Sequence, residues 1–246
     1  MTRFRITVDY DGTAYAGWQV QPGLQTVQQT LEEAIRTTCG HEVKLHGSGR
    51  TDRGVHARGQ VAHFDADTRM GAKSMMLALN SRIPPDIRVV AADIVPEDFH
   101  ARRSAIAKEY RYVVWNGPVM PPAERLYAYL VHRPLDIGLV REGAERFIGK
   151  HDFVAFMANP QRELDSTVRE IYEFEVSKTG RRIVFRVKGS GFLYKQVRSM
   201  VGMLIRVGTG AEKAETITRL LDTSAPRTAH VPSAPPQGLT LWKVWY

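Results

Sequence analysis

The stretch TVQQTLEEAIRTTCG at residues 26–40 contains both the start and the stop of a helix. Thr26 and Gln29 form a capping box, apolar residues follow at helical spacing, and Gly40 supplies the stop. Before this helix, residues 4–8 alternate apolar and polar side chains, a pattern typical of a half-buried strand. A strand followed by an amphipathic helix favours a mixed fold of helices and sheet.

The same strand and helix signals alternate along the rest of the chain. We predict further strands at 60–65, 87–95, 110–115, 168–177, 182–188 and 239–246, and further helices at 72–80, 137–148, 194–207 and 214–221. The Lys-Thr-Gly sequence at 178–180 separates two of these strands and predicts a hairpin. Hairpin-type strands mixed with helices indicate an α+β fold built on antiparallel sheet. We place the domain boundary near residue 105, which gives an N-terminal α+β domain at 1–105 and a C-terminal α+β domain at 106–246.

The composition excludes several protein classes. With 246 residues and 43% hydrophobic side chains, the chain is too apolar to be disordered and long enough to bury the core of one large domain or two smaller ones. Its single cysteine, Cys39, cannot form an intrachain disulfide, so nothing marks the chain as secreted. No stretch approaches the roughly 20 apolar residues that span a bilayer. We therefore expect a cytoplasmic protein with no membrane partner.

The positive charge is concentrated in the second half of the chain. Residues 1–105 carry 13 basic and 12 acidic side chains, whereas residues 106–246 carry 21 and 14. The stretch 176–211 holds no Asp or Glu and eight basic residues, among them Arg198. Such a stretch suits a polyanion, because neutralised phosphates release condensed counterions. It is equally consistent with the solvated face of a basic protein.

Common signatures of metal and cofactor sites are missing from the sequence. The eight histidines form no HExxH pair and the cysteine forms no CxxC pair, so we expect no metal. No glycine-rich loop ends in Gly-Lys-Ser/Thr, and no G-x-G-x-x-G opens a helix after a strand, which disfavours nucleotide cofactors. A serine hydrolase elbow, G-x-S-x-G, is also missing. We expect a protein that needs no small-molecule cofactor.

The loop GSGRTDRG at residues 47–54 combines backbone freedom with charge. Its glycines allow conformations that other residues avoid, and it places Asp52 between Arg50 and Arg53. Cationic neighbours favour the ionised carboxylate, which can then act as a nucleophile or an electrostatic stabiliser. A solvated turn with local Asp–Arg pairing fits the same composition.

The segment Gly49–Ala57, GRTDRGVHA, resembles the G-R-T-D-x-G-V-H-A signature of the tRNA pseudouridine synthase A family. The match covers nine positions, of which one is free, so all eight specified residues agree. Further motifs follow in the family's order: DYDGT at 9–13, GWQ at 17–19, FHAR at 99–102, SA at 104–105, KEYRY at 108–112, GF at 191–192, VR at 197–198, VG at 201–202 and GLTL at 238–241. The resemblance therefore spans essentially the whole chain.

The resemblance implies a role for four residues. Asp52 matches the family's catalytic aspartate, which bonds covalently to the target nucleotide so that the uracil can detach from C1′, rotate and rejoin through C5. Tyr110 matches the tyrosine that packs against the uracil ring, and Arg198 matches the arginine that pairs with the aspartate. Arg50 matches an arginine that intrudes where the target base leaves the stack. Attack by the carboxylate on C1′ and on C6 both remain open, as does the base that removes the C5 proton.

The resemblance also implies an architecture, a substrate and an assembly. It implies two ferredoxin-like, RRM-like domains whose antiparallel sheets meet at a basic catalytic cleft. The implied reaction is cofactor-free isomerisation of uridine to pseudouridine at positions 38, 39 and 40 of the tRNA anticodon stem-loop. The implied assembly is a homodimer bound to tRNA.

Other interpretations of the same residues stay open. Tyr110 also fits a half-buried strand aromatic, and Arg198 fits a phosphate contact or a surface residue. His56 and His63 fit structural histidines better than acid–base groups. A non-catalytic RNA-binding protein would need the basic stretch but would gain nothing from a carboxylate that repels phosphate. A nuclease or glycosylase would cleave RNA or release free uracil. Arg103, where many relatives carry an aromatic residue, leaves the substrate preference open.

Overall fold

The computed structural model describes residues 1–158, 165–222 and 231–246. The strands in these ranges are β1 (Thr2–Tyr10), β2 (His46–Gly47), β3 (His56–Ala66), β4 (Ile87–Ile94), β5 (Ala107–Asn116), β6 (Tyr129–Val131), β7 (Gly149–Asp152), β8 (Val168–Thr179), β9 (Arg182–Gly189) and β10 (Leu239–Trp245). The helices are α1 (Val27–Cys39), α2 (Ala72–Asn80), α3 (Ile137–Glu145), α4 (Gln196–Gly208) and α5 (Glu215–Leu221). Short 3-10 segments lie at Pro122–Glu124, Val154–Phe156 and Pro236–Gly238.

The chain forms two compact units, one of residues 1–106 with 240–246 and one of residues 107–239. Our boundary near residue 105 assigned the last strand to the C-terminal domain, whereas the structure places nearly all of it in the first unit. In the first unit, β10 runs parallel to the start of β3. A strand at the end of a chain carries no local signal for the sheet that it joins.

The first unit is built on an antiparallel sheet. β1 pairs antiparallel with β3 on one side and with β4 on the other, and β2 pairs antiparallel with β3. The element order β1-α1-β2-β3-α2-β4 is therefore the βαββαβ pattern of ferredoxin-like folds. β2 is only two residues long, so it has no periodicity and was not predicted.

The helix α1 begins and ends where its sequence signals place it. The Thr26 side chain accepts a hydrogen bond from the backbone N–H of Gln29, and Gly40 takes the left-handed conformation at φ 79°. Leu31 and Ile35 on one face of α1 are fully buried. The helix thus covers the apolar face of the sheet, where the alternating residues of β1 are also buried.

The second unit repeats the combination of antiparallel strands and helices. β5, β9, β8 and β7 pair antiparallel in that order, and β6 joins β5 in parallel. The α4 helix is buried on nearly all sides, with Ile205 and Arg206 as its exceptions. Gly208 allows α4 to approach α3, because a Cβ there would lie 2.5 Å from Cγ2 of Val140.

Both units mix helices with mostly antiparallel strands, which confirms the predicted α+β class. The predicted hairpin is present as β8 and β9, with Gly180 in the left-handed region at the turn. In the part of the chain that the structure describes, no helix is long and apolar enough to cross a membrane.

Candidate active site

Asp52 lies in the loop of residues 48–55, which links β2 to β3 in the first unit. Its side chain is half-buried, whereas the side chains of Arg50 and Arg53 are exposed. The backbone N–H of Val55 donates to the carbonyl of Asp52 over 3.1 Å, and Gly54 takes a positive φ of 76°. The loop therefore turns sharply directly after Asp52, and Gly54 has the conformational freedom that this turn requires.

Residues near the N-terminus hold this loop through its backbone. The N–H of Trp18 donates to the carbonyl of Thr51 over 3.1 Å. Gly17 has a φ of 103°, and a Cβ at this position would lie 2.5 Å from the same carbonyl oxygen. A Cβ at Gly12 would overlap the carbonyl group of Val55. The sequence motifs DYDGT and GWQ thus share one structural task, the support of the loop that carries Asp52.

A network of buried polar side chains lies beneath the same loop. The Tyr10 hydroxyl lies 2.8 Å from Oγ1 of Thr51. Gln60 on β3 accepts a hydrogen bond from the Ser48 hydroxyl over 2.7 Å and donates one to the carbonyl of Gly49 over 2.9 Å. Burial raises the pKa of Tyr10, while its contacts with Thr51 and Gln60 partly offset the rise, so the hydroxyl keeps its proton at neutral pH.

His56 supports the opposite end of the loop. It is the first residue of β3 and is buried. Its Nδ1 atom accepts a hydrogen bond from the backbone N–H of Gly12 over 3.1 Å. This contact gives His56 a structural role next to the DYDGT segment.

Tyr110 lies on β5 in the second unit and is buried. The edge of its ring meets Phe192 at a centroid distance of 5.2 Å and an interplanar angle of 86°. Phe192 belongs to the GF motif, so the KEYRY and GF motifs meet at this ring pair. Tyr112, two residues along the strand, donates its hydroxyl to the carbonyl of Pro235 over 2.7 Å.

Arg198 projects from the first turn of α4 and is only 9% exposed. Its Nε donates to the carbonyl of Ala234 over 2.7 Å, and the N–H of Ala234 donates back to the carbonyl of Arg198 over 2.9 Å. A Cβ at Gly202 would overlap the carbonyl of Pro232. The VR and VG motifs therefore have one structural role in common. Both allow the backbone around Ala234 to pack directly against α4.

The four predicted site residues fall into two pairs. Asp52 and Arg50 share one loop of the first unit, and Tyr110 and Arg198 belong to the second unit. Within the second unit, burial raises the pKa of Tyr112, and the nearby positive charge of Arg198 partly opposes this rise. Each pair is thus placed by the elements of its own unit.

The basic stretch is partly neutralised within the second unit. Arg186 pairs with Glu109, Glu173 and Glu175 on the neighbouring strands. Lys188 also pairs with Glu173 at 3.3 Å. These acidic partners lie outside residues 176–211. The sequence of the stretch therefore contains only positive charge, although Arg186 and Lys188 are paired with carboxylates in the folded unit.

The comparison with known proteins now decides the family. The tRNA pseudouridine synthase profile matches residues 6–102 and 144–246. The chain belongs to the tRNA pseudouridine synthase family. It is 44% identical to tRNA pseudouridine synthase A of Maridesulfovibrio salexigens over 249 residues, covering 100% of this chain and 91% of the relative. It is also 44% identical to tRNA pseudouridine synthase A of Geobacter sp. strain M21, covering 100% of this chain and 99% of the relative.

Structural similarity adds less than sequence similarity. The crystal structure of an archaeal box H/ACA sRNP Nop10-Cbf5 complex aligns with 82% of this chain and 43% of its own at 14% identity, with a TM-score of 0.35. The membership of the family therefore rests on the sequence. Members of the tRNA pseudouridine synthase family are isomerases, and this chain is assigned to the same enzyme class.

Sequence reasoning did not single out Tyr10 and Gln60. Gln60 stands in a strand where the pattern predicts an apolar residue facing the core, and a buried polar residue in such a position is a signal in itself. Three histidines also converge, with the His63 ring 5.0 Å from His46 and 4.7 Å from His100. Their separation along the chain hides this cluster from any local pattern.

Proposed function

We propose that this chain isomerises uridine to pseudouridine in tRNA, at positions 38, 39 and 40 of the anticodon stem-loop, with Asp52 as the nucleophile and without a cofactor. The observation that carries the proposal is the loop of residues 48–55. Its backbone accepts a hydrogen bond from Trp18 and packs directly against Gly12 and Gly17, and it presents a half-buried carboxylate between two exposed arginines. A binding loop that met only phosphate would gain nothing from that carboxylate.

The proposed reaction needs no redox partner. The C1′–N1 glycosidic bond breaks, the uracil turns, and a C1′–C5 bond forms in its place. The hydrogen on C5 leaves as a proton, and N1 gains a proton, so the product is an isomer of the substrate. The Asp52 carboxylate forms a covalent bond to the nucleotide and is released unchanged, which is nucleophilic catalysis.

We propose Tyr110, Arg198 and Arg50 as substrate-binding residues. A target base that leaves its stack needs an aromatic or apolar face to hold it, and the Tyr110 ring, itself held by Phe192, offers such a face. The carbonyl of Ala234 holds the guanidinium of Arg198 in one position, as expected for a cation that binds one fixed anionic group. Arg50 is exposed beside Asp52 and suits contact with RNA.

The proposal extends to assembly and location. We propose a cytoplasmic homodimer of two-domain chains, with domains at 1–105 and 106–246 apart from the last strand, in which one tRNA contacts a basic catalytic cleft. Sedimentation of the protein at micromolar concentration tests the dimer. A single species with the 27.7 kDa mass of one chain would contradict it.

Tritium release tests the reaction. Transcripts of tRNA labelled at uridine C5 are incubated with the protein in EDTA, and the tritium released to water is counted. Asp52→Asn keeps the size of the side chain and removes its charge, so we expect release by the unchanged chain and none by the variant. Asp67→Asn is the matched control, because Asp67 is exposed in the same unit. We expect its release to equal that of the unchanged chain.

Three results would contradict the proposal. Release by a folded Asp52→Asn variant would exclude Asp52 as the nucleophile. Free uracil in the supernatant would indicate a glycosylase, and shortened RNA a nuclease. Transcripts that keep a single uridine at position 38, 39 or 40 then test the proposed specificity, since each should release tritium.

A further inference from the structure

Gln60 is a polar side chain on the apolar face of the paired strands β1 and β3. It pairs across the strands with Val8, and residues directly opposite each other share a face. The neighbouring pair on that face is Ile6 and Ala62, and all four side chains are fully buried. An unpaired buried amide costs about 1–3 kcal/mol, so a glutamine here requires partners.

Both ends of the Gln60 amide bind the loop that carries Asp52. Its Oε1 accepts from the hydroxyl of Ser48 over 2.7 Å, and its Nε2 donates to the carbonyl of Gly49 over 2.9 Å. Ser48 is also fully buried. The two hydrogen bonds fix the start of the loop relative to β3.

Tyr10 binds the same loop from β1. Its ring is 4% exposed, and its hydroxyl lies 2.8 Å from Oγ1 of Thr51, the residue directly before Asp52. Tyr10 and Gln60, on the paired strands β1 and β3, thus form one network of hydrogen bonds to the loop. This network holds residues 48, 49 and 51, which are all uncharged.

We propose that Gln60 and Tyr10 are positioning residues, which hold the loop of residues 48–52 from beneath and so set the place of the Asp52 carboxylate. This inference rests on the proposed function, because it assumes that Asp52 reacts. Both side chains are buried, so we expect neither to touch the substrate. Their contribution is to the geometry of attack, where a displacement of 1 Å can cost about 100-fold in rate.

The test compares Gln60→Leu and Tyr10→Phe with a matched control. Gln28 is another glutamine of the first unit, 7% exposed, and its amide binds Val20, Glu32 and Leu45 instead of the loop. Gln28→Leu therefore removes a buried amide of the same kind. Tritium release is measured with enzyme in excess, which isolates the chemical step, and again at steady state. The folded fraction of each variant is measured by circular dichroism.

We expect Gln60→Leu to slow the chemical step by about 100-fold with little change in KM, and Tyr10→Phe to slow it less. Gln28→Leu should lower stability but leave the rate of the folded fraction unchanged. A rate for folded Gln60→Leu equal to that of Gln28→Leu would overturn the inference, while loss of release in Asp52→Asn would still support the proposed function.

The conservative variant Gln60→Glu tests the positioning role through the pH dependence of the rate, which a purely structural role would not change. A protonated carboxyl group has one O–H donor and one acceptor, so it can replace the amide toward Gly49 and Ser48, whereas a carboxylate cannot donate. Burial favours the protonated form of a carboxyl group at this position. We expect the rate of Gln60→Glu relative to the unchanged chain to rise as the pH falls from about 8 to about 6. A constant ratio would contradict the proposed hydrogen bonds.

Hydrogen exchange separates this inference from the proposed function. In Gln60→Leu we expect faster amide exchange in the peptide of residues 46–55, and in Gln28→Leu no change there. If the unchanged chain releases no tritium, the proposed function fails and the assignment of a positioning role fails with it. Unaltered exchange in the loop of Gln60→Leu would contradict the inference whatever the activity.

Discussion

The Nδ1 atom of His63 accepts a hydrogen bond from the backbone N–H of Ala101, over 3.2 Å. His63 is 3% exposed, and its ring stacks on His46 and lies beside His100. Burial, together with positive charge on His100, His46 and Arg3, lowers the pKa of His63 to about 4, while Asp65 opposes the shift. Because Nδ1 accepts, the ring is neutral and carries its proton on Nε2.

This neutral histidine predicts a loss of stability in acid. The unfolded chain binds a proton on this ring below about pH 6.5, and the native chain does so only near pH 4, so the free energy of unfolding falls as the pH drops between these values. At pH 5 we expect His63 to account for a loss of about 2 kcal/mol. Urea unfolding at neutral pH and at about pH 5 measures the change.

His63→Asn isolates that contribution. The Asn side-chain oxygen can accept the Ala101 N–H but does not titrate, so we expect a smaller loss of stability over the same pH range. His132→Gln, at an exposed histidine, is the control and should keep the slope of the unchanged chain. The same slope in His63→Asn would show that other groups dominate the acid response.

Gly17→Ala should damage the candidate site. The added Cβ would press on the carbonyl of Thr51, and a φ of 103° is unfavourable for alanine, so we expect a loss of about 1–3 kcal/mol in stability and a large loss of tritium release. Gly23→Ala separates the two causes, because Gly23 also has a positive φ but meets nothing within 4 Å. If the positive φ alone caused the loss, Gly17→Ala and Gly23→Ala would be equally inactive. We expect Gly23→Ala to keep its activity.

Tyr112→Phe should weaken the second unit modestly. It removes the hydrogen bond to the Pro235 carbonyl and leaves that carbonyl without its hydroxyl partner, at a cost of about 1–2 kcal/mol. Tyr172→Phe is the control at an exposed tyrosine. Thermal unfolding of both variants checks the difference, and equal melting temperatures would contradict the prediction.

Glu109→Gln should weaken the charged cluster on β5 and β9. Glu109 is 5% exposed and binds Arg111 at 2.8 Å and Arg186 at 3.4 Å. Removal of its charge leaves Arg186 with two other carboxylates, so no cation becomes isolated. We therefore expect the free energy of unfolding to fall by about 1–3 kcal/mol, less than the cost of an isolated buried charge. Glu170→Gln, at an exposed position, should change stability little. Urea unfolding of both variants distinguishes the two outcomes.

Local patterns in the sequence predicted the long elements because these elements have periodicity and caps. The helix from Val27 to Cys39 and the helix from Ala72 to Asn80 have the predicted bounds. The short strands β2, β6 and β7 span two to four residues, too few for a pattern. The destination of β10 was also missed, because pairing between distant segments leaves no local trace.

The candidate site shows the same limit. The motif around Asp52 marks the loop of the candidate site, but no local pattern explains why Gly12 and Gly17 accompany it; the explanation is the close approach of two backbones. Gln60 and Tyr10 likewise have meaning only once β1 and β3 are paired. The charge of Arg186 was counted correctly in the sequence, yet its availability depends on carboxylates from other strands.

The position of β10 has a consequence for synthesis on the ribosome. Residues 240–246 leave the ribosome after the whole of the second unit, about 130 residues behind the rest of the first. At a rate of about 5–20 residues per second, the first unit waits roughly 7 to 26 seconds for this strand. During that interval β3 has no parallel partner at His56 and Ala57, and the carbonyl of Ala101 has no Tyr246 hydroxyl to bind. A nascent chain interrupted before residue 240 would therefore lack part of the unit that was translated first.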